Sequence, residues 1–188
     1  MAPPAGQMRL IKAGFVQLDP VTGQVLRMFA FQYNPETLTR SVETIAAPLP
    51  QPQPAPRETI TFTVPLDAAH KLDSGDPVTQ KEGIFPPLAA LQVLLASSPQ
   101  SLVVWVSGNR RVLPVRLTGM QITEQAFDSN LNPIRAEVTL TLTALSGQDL
   151  VNDSRGRSLL DAYLATLQQL AELEFANGSL ATLGLPGI

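Results

Sequence analysis

The sequence predicts an α+β protein that is mainly β: antiparallel sheet or barrel, one short packed helix and a C-terminal helix. Three observations lead there. Residues 134–145 alternate almost without fault, with Ala136, Val138, Leu140, Leu142 and Ala144 on one face and Arg135, Glu137, Thr139, Thr141 and Thr143 on the other. Residues 58–66 repeat the pattern, Thr59, Thr61 and Thr63 against Ile60, Phe62 and Val64. A side-chain period of two marks a half-buried strand. Helical spacing, by contrast, is confined to residues 88–96 and 158–175.

Bulk properties frame this reading. The 188 residues suit one domain with an appendage. An apolar share of 44% supplies a core and argues against wholesale disorder. The net charge of −3, with no Lys/Arg-rich run, argues against a phosphate-neutralising nucleic-acid groove. Without cysteine there are no disulfides or thiolate metal sites, which suits a reducing interior. Residues 1–7 have neither the charged nor the apolar region of an export leader, and are expected to be disordered. The longest apolar run, 88–96, contains Gln92 and is too short to span a bilayer. The expectation is a soluble protein made in the cytosol.

The elements follow in order. Residues 8–18 and 25–33 read as strands joined by a turn at Asp19-Pro20-Val21-Thr22-Gly23. In the second, Val25, Arg27, Phe29, Phe31 and Tyr33 oppose Leu26, Met28 and Ala30, so both faces are expected to be covered. Asn34-Pro35-Glu36 breaks it. Pro48, Pro50, Pro52, Pro54 and Pro56 occupy alternate positions, which excludes helix and central strand and favours a stiff extended loop. Residues 67–81 read as a polar loop. A short helix then starts at Pro86-Pro87, with Leu88, Leu91, Val93, Leu94 and Leu95 as its apolar side, and stops at Ser97-Ser98-Pro99.

Next come a strand at 102–106, a turn at Ser107-Gly108-Asn109-Arg110, a long strand at 112–125 and a loop at 128–133 before the final strand. Such long two-faced strands offer more surface than a small core needs, and suggest a sheet that meets other copies of itself. Residues 147–156 read as a linker, and Ser158 with Asp161 as a capping box opening a helix to about 175. That helix carries Leu159, Leu160, Tyr163, Leu164, Leu167, Leu170 and Leu173 as an apolar stripe. Either its own sheet or a neighbouring subunit covers the stripe; the pattern leaves both open.

No catalytic constellation emerges. His70 is the sole histidine and reads as a solvated loop residue. Asp67, Asp73 and Asp76 lack the order of a calcium loop. Phosphate-cradling glycines and a nucleophile elbow are both missing from the pattern. The expectation is no cofactor, no metal and no enzyme. Trp105, between valines, reads as core or interface rather than a ligand platform.

The segment Phe31-Gln32-Tyr33-Asn34-Pro35-Glu36-Thr37-Leu38 resembles a signature of contractile injection system tube-type proteins, among them the N-terminal region of the LysM-bearing baseplate protein of phage-tail-like particles. The resemblance continues through Val103-Val104-Trp105-Val106, through 114–122, and through Phe127-Asp128-Ser129-Asn130-Leu131-Asn132-Pro133-Ile134-Arg135-Ala136, covering roughly residues 8–146. Val106-Ser107-Gly108 stands where a Trp-Gly pair is usual, and Arg110-Arg111 where Phe and Gly are common, so the hairpin register stays open. The LysM anchoring part has no counterpart in residues 147–188.

The resemblance implies a phage-tail-tube-like domain over 8–146 that forms a hexameric ring, a tube initiator or adaptor between inner tube and spike hub. Its implied partners are copies of itself, the inner tube protein, and the spike hub and baseplate proteins, with neither nucleic acid nor direct membrane insertion. Arg116, Thr118, Arg135, Glu137, Thr139, Thr141 and Thr143 are then candidates for a lumen-facing or inter-subunit surface, on strands 112–125 and 134–145. Pro48, Pro50, Pro52 and Pro54, with Leu160, Tyr163, Leu164 and Leu167, are candidates for contacts to adjacent layers. The rival is a β-rich module that binds a small ligand or peptide at Trp105 or at the Phe29 to Tyr33 face.

Overall fold

The computed structural model describes residues 11–44, 56–96 and 101–176. Its strands are β1 (Gly14–Leu18), β2 (Val25–Ala30), β3 (Leu38–Glu43), β4 (Arg57–Asp67), β5 (Leu102–Val106), β6 (Val112–Phe127) and β7 (Pro133–Ala144). Its helices are α1 (Ala69–Asp73), α2 (Pro77–Glu82), α3 (Phe85–Leu95) and α4 (Ser154–Phe175). All seven strands form one sheet in the order β2-β1-β5-β6-β7-β4-β3, every neighbouring pair antiparallel. The protein is mainly β, as the sequence predicts, with the long helix at its C-terminal end.

The sheet rolls on itself. Trp105 on β5 stacks on Phe62 on β4 with ring centroids 5.7 Å apart, although β6 and β7 separate their strands in the sheet. Phe31 bridges Phe62 and Phe15 through edge-to-face contacts of 5.6 and 5.4 Å. The inward halves of β4 and β7, including Ile60, Val138, Leu140 and Leu142, are fully buried, and Leu88, Leu91 and Leu94 of α3 join the same core. Burial of this kind contributes about 1.5–3 kcal/mol per large side chain. A second cluster, Leu18, Leu102, Val104 and Leu150, occupies the other face of β1 and β5 under Leu159 and Leu160 of α4.

The structure corrects several expectations. Among the described residues, the first strand begins at Gly14 and the second ends at Ala30. β2 is not covered on both sides: it is an edge strand with Val25, Leu26, Arg27 and Met28 exposed. β3 escaped prediction because LTRSVE has no buried face to impose a period. The stretch 67–81 contains α1 and α2, and Asp76 caps α2 by accepting from Thr79 N (2.8 Å) and Thr79 Oγ1 (2.6 Å). On α3, Val93 and Leu95 turn outward. α4 starts at Ser154 rather than Ser158, because Asp153 caps it through Gly156 N (2.7 Å). Its preceding linker is anchored by buried Leu150.

The hairpin register is also settled. Val106 pairs with Val112, Ser107 N donates to Arg111 O (2.9 Å), and Gly108 takes the positive φ of 73° the turn needs. The polar substitutes at Ser107 and Arg110 are thus turn residues, and they do not shift the pairing.

Two side-chain amides stitch the segment after β2 into place. Gln32 Nε2 donates to Asp67 O (2.8 Å) while Gln32 Oε1 accepts from Asp67 N (3.0 Å), completing the ladder at the end of β4. Asn34 Oδ1 accepts from Ala13 N (2.8 Å) and Asn34 Nδ2 donates to Ile11 O (2.9 Å). Each amide replaces a missing strand partner. Gln32→Ala is therefore expected to destabilise the fold by about 1–3 kcal/mol, since both Asp67 backbone groups lose their partner. Urea unfolding of the variant measures this, and a change below about 0.5 kcal/mol would contradict it.

Candidate functional site: an open-edged threonine face

The outward residues of β4 and β7 lie opposite one another by register: Thr59 with Thr143, Thr61 with Thr141, Thr63 with Thr139, and Asp67 with Arg135. β6 adds Arg116 opposite Thr143 and Gln121 opposite Thr139, and β3 adds Thr39 and Ser41 opposite Thr61 and Thr59. Five of the candidates, Arg135, Glu137, Thr139, Thr141 and Thr143, therefore share one face with Arg116. Thr118 joins them through a bulge between Leu117 and Gly119, with its Oγ1 3.3 Å from Thr141 O and 3.4 Å from Thr143 Oγ1. The sequence reading missed the contribution of β3, whose Thr39 and Ser41 alternate with no buried face that would have marked a strand.

This face is hydroxyl-rich and internally neutralised. Thr63 and Thr139 hydroxyls pair at 2.9 Å. Arg135 donates to Asp67 Oδ2 from Nε and Nη2 at 3.1 and 2.9 Å. Asp67 sits below the usual carboxylate range, chiefly because its carboxylate accepts from Ala69 N, with Arg135 adding to the effect. Asp149 is likewise lowered, first by the Ser146 hydroxyl and backbone and further by Arg116 and Arg57 nearby. The ion pair is exposed, so it contributes at most about 1 kcal/mol. β-branched hydroxyl residues favour extended backbone while keeping a wet surface.

The edges of this face matter more than its side chains. β7 is paired on both sides, by β6 and β4. β6 is paired with β5 only from Val112 to Val115, so from Arg116 to Phe127 its outer edge has no strand partner among the described residues. β3 ends the sheet on the other side. Among the described residues, the β6-β7-β4-β3 half is thus a polar panel with no strand partner at either edge. Of the strands expected between subunits, β6 offers a free edge, whereas β7 offers only its face.

The layer-contact candidates divide. Pro48, Pro50, Pro52 and Pro54 lie outside the described residues. Tyr163 is buried against the core and accepts from Arg40 Nη2 (3.0 Å), while Arg40 Nε donates to Glu58 at 2.6 Å. Burial raises the Tyr163 pKa, with the Glu58 charge adding to it, so the phenol stays protonated. Leu160 is half-buried, and Leu164 and Leu167 are exposed.

The remaining candidates for chemistry stay apart. His70 is exposed in α1. Asp67 and Asp76 are committed to Arg135 and to helix caps, and among the described residues no group of three His, Cys, Asp or Glu could hold a metal ion. Trp105 is completely buried and cannot serve as a ligand platform. No described helix is long and apolar enough to cross a membrane. Comparison with protein-family models returns no match, and neither does comparison with curated proteins.

Proposed function

We propose that this chain is a non-enzymatic structural subunit of a contractile injection apparatus, a ring-forming tube initiator or adaptor between inner tube and spike hub. One observation carries the reading: among the described residues the β6-β7-β4-β3 panel has a polar outer face and an unpaired edge at each end. Joined edge to edge, such panels continue from copy to copy into a closed wall, which removes the exposed edges that otherwise invite aggregation. The resemblance of the 31–38 segment to tube-type proteins supports the same reading and suggests six copies. The threonine face with Arg116 and Arg135 then lines the lumen. The partners are copies of the chain, the inner tube protein, and the hub and baseplate proteins.

The concentrated protein is expected to form closed rings visible in negative-stain images, and to join tube particles when co-produced with them. Val42→Lys places a charge on the outermost strand at an exposed position. It should deplete rings in sedimentation velocity while changing stability by less than about 0.5 kcal/mol. A parent chain that stays monomeric at high concentration and never enters a particle would sink the reading.

A further inference from the structure

We propose that the tip of the β6–β7 hairpin docks on protein, and that Leu131 is the side chain it presents to a second copy of this chain in the next layer; the inference rests on the ring reading and deepens it. Leu131 has φ 64°, the one positive φ outside glycine among the described residues. The others belong to Gly23, Gly75, Gly83 and Gly108, which have no Cβ to strain. A leucine in this conformation is strained. Asn130 and Asn132, of a residue type that tolerates it better, stand on either side of the position. The loop nonetheless holds it from several directions. Asp128 Oδ1 accepts from Asn130 N and Asn132 N, both at 2.8 Å, and Asp128 Oδ2 from Asn132 Nδ2 at 2.9 Å. Asp128 N donates to Asn132 O at 3.0 Å, and Leu131 N to Asp128 O at 3.1 Å. Asn132 Nδ2 also donates to Lys81 O at 3.0 Å, which ties the loop to the end of α2.

Packing among the described residues does not offset this strain. Leu131 is 77% exposed, and Phe127 beside the loop 48%. A lone exposed leucine is ordinary on a protein surface; one fixed at positive φ is not. Strained backbone gathers where a contact is prepared in advance of binding. The chemistry of the tip selects the class of partner. The Asp128 carboxylate is used inside the loop, and the two cations next to it by bond and by sequence are paired, Lys81 with Glu82 at 3.1 Å and Arg135 with Asp67 at 2.9 Å. An anionic bilayer or a nucleic acid would call for unpaired cations here. An apolar side chain on a rigid loop suits a socket in another protein. Direction then selects the copy. β5 accompanies β6 only as far as Val115, and the hairpin runs on to Phe127. In a ring joined through its strand edges, the strand ends face the neighbouring layers. The tip therefore meets the next ring, and a contact that is small in one copy is repeated by every copy around it.

Leu131→Gly and Leu131→Met are made in the full chain. Leu131→Gly is expected to unfold at a higher urea midpoint than the parent, because the strain is relieved and little packing is lost. Its rings should still form, while stacked rings in sedimentation velocity and negative-stain images fall by roughly tenfold or more. Leu131→Met should keep the stacks, since an apolar side chain remains at the tip. A lower midpoint for Leu131→Gly would show that the leucine serves the chain's own fold, and overturns the proposal. So do stacks that Leu131→Gly leaves intact. Flotation of the parent with phosphatidylcholine–phosphatidylglycerol vesicles, lost in Leu131→Gly, would assign the tip to lipid and overturn it as well. Parent rings that never stack sink this inference alone; if no rings form at any concentration, the ring reading falls with it.

Discussion

Trp105→Ala is expected to destabilise the protein by about 3–5 kcal/mol, the range for emptying a large aromatic site in a packed core. Trp105 is fully buried, stacks on Phe62 and lies under the Arg111 guanidinium, 5.6 Å from its ring centroid. Phe62 in turn contacts Phe31, so the void would open in the aromatic chain that holds the rolled sheet together. At this chain length each kcal/mol shifts Tm by about 2–4 °C, so a fall of roughly 10 °C or more should appear in calorimetry. Trp105→Phe should recover most of that loss because the stacking partner remains. If the ring at 105 served a ligand instead, the alanine variant would keep its Tm and lose only binding. An unchanged Tm would therefore refute the core assignment.

Gly83→Ala should destabilise by about 2–4 kcal/mol, for two separable reasons. Gly83 sits at φ 56° and ψ −129°, a region that an L side chain enters at a cost of about 1–3 kcal/mol. A Cβ there would also collide with Pro133 O, the atom that accepts from Ile84 N at 2.8 Å, so the link between the α2–α3 junction and the start of β7 must yield. Gly75 supplies the control. Its φ is 74°, but nothing lies within 4 Å of an added Cβ, so Gly75→Ala should show only the backbone penalty of about 1–2 kcal/mol. Equal losses in the two variants, measured by urea unfolding, would show that the close approach to Pro133 carries no weight.

The elements that were easy to read share one property: a buried face. β4 and β7 were placed to within a residue or two because Ile60, Phe62 and Val64, and Val138, Leu140 and Leu142, are sealed on one side while their neighbours are wet. β3 has no sealed side and left no period. β2 misled for the opposite reason. Its apolar residues suggested cover, but Val25 and Met28 lie on a free edge, and composition does not report what covers a surface. The N-terminus of α4 was misplaced because Ser158 and Asp161 resemble a cap as well as Asp153 does; only the bond to Gly156 N separates them.

The candidate surface divides along the same line. Alternation alone put Arg135, Glu137, Thr139, Thr141 and Thr143 on one face, since side-chain direction in a strand is a local consequence of backbone geometry. The motif at 31–38 was equally visible, yet the use of Gln32 and Asn34 as stand-in strand partners was not, because their partners Asp67, Ala13 and Ile11 are distant in the chain. Strand order decided the rest. Among the described residues it left β6 unpaired beyond Val115 and set β2 and β3 at the edges. The inside and outside of each long strand were thus written locally. Which edges stay open for another copy depends on long-range pairing, and no local pattern encodes it.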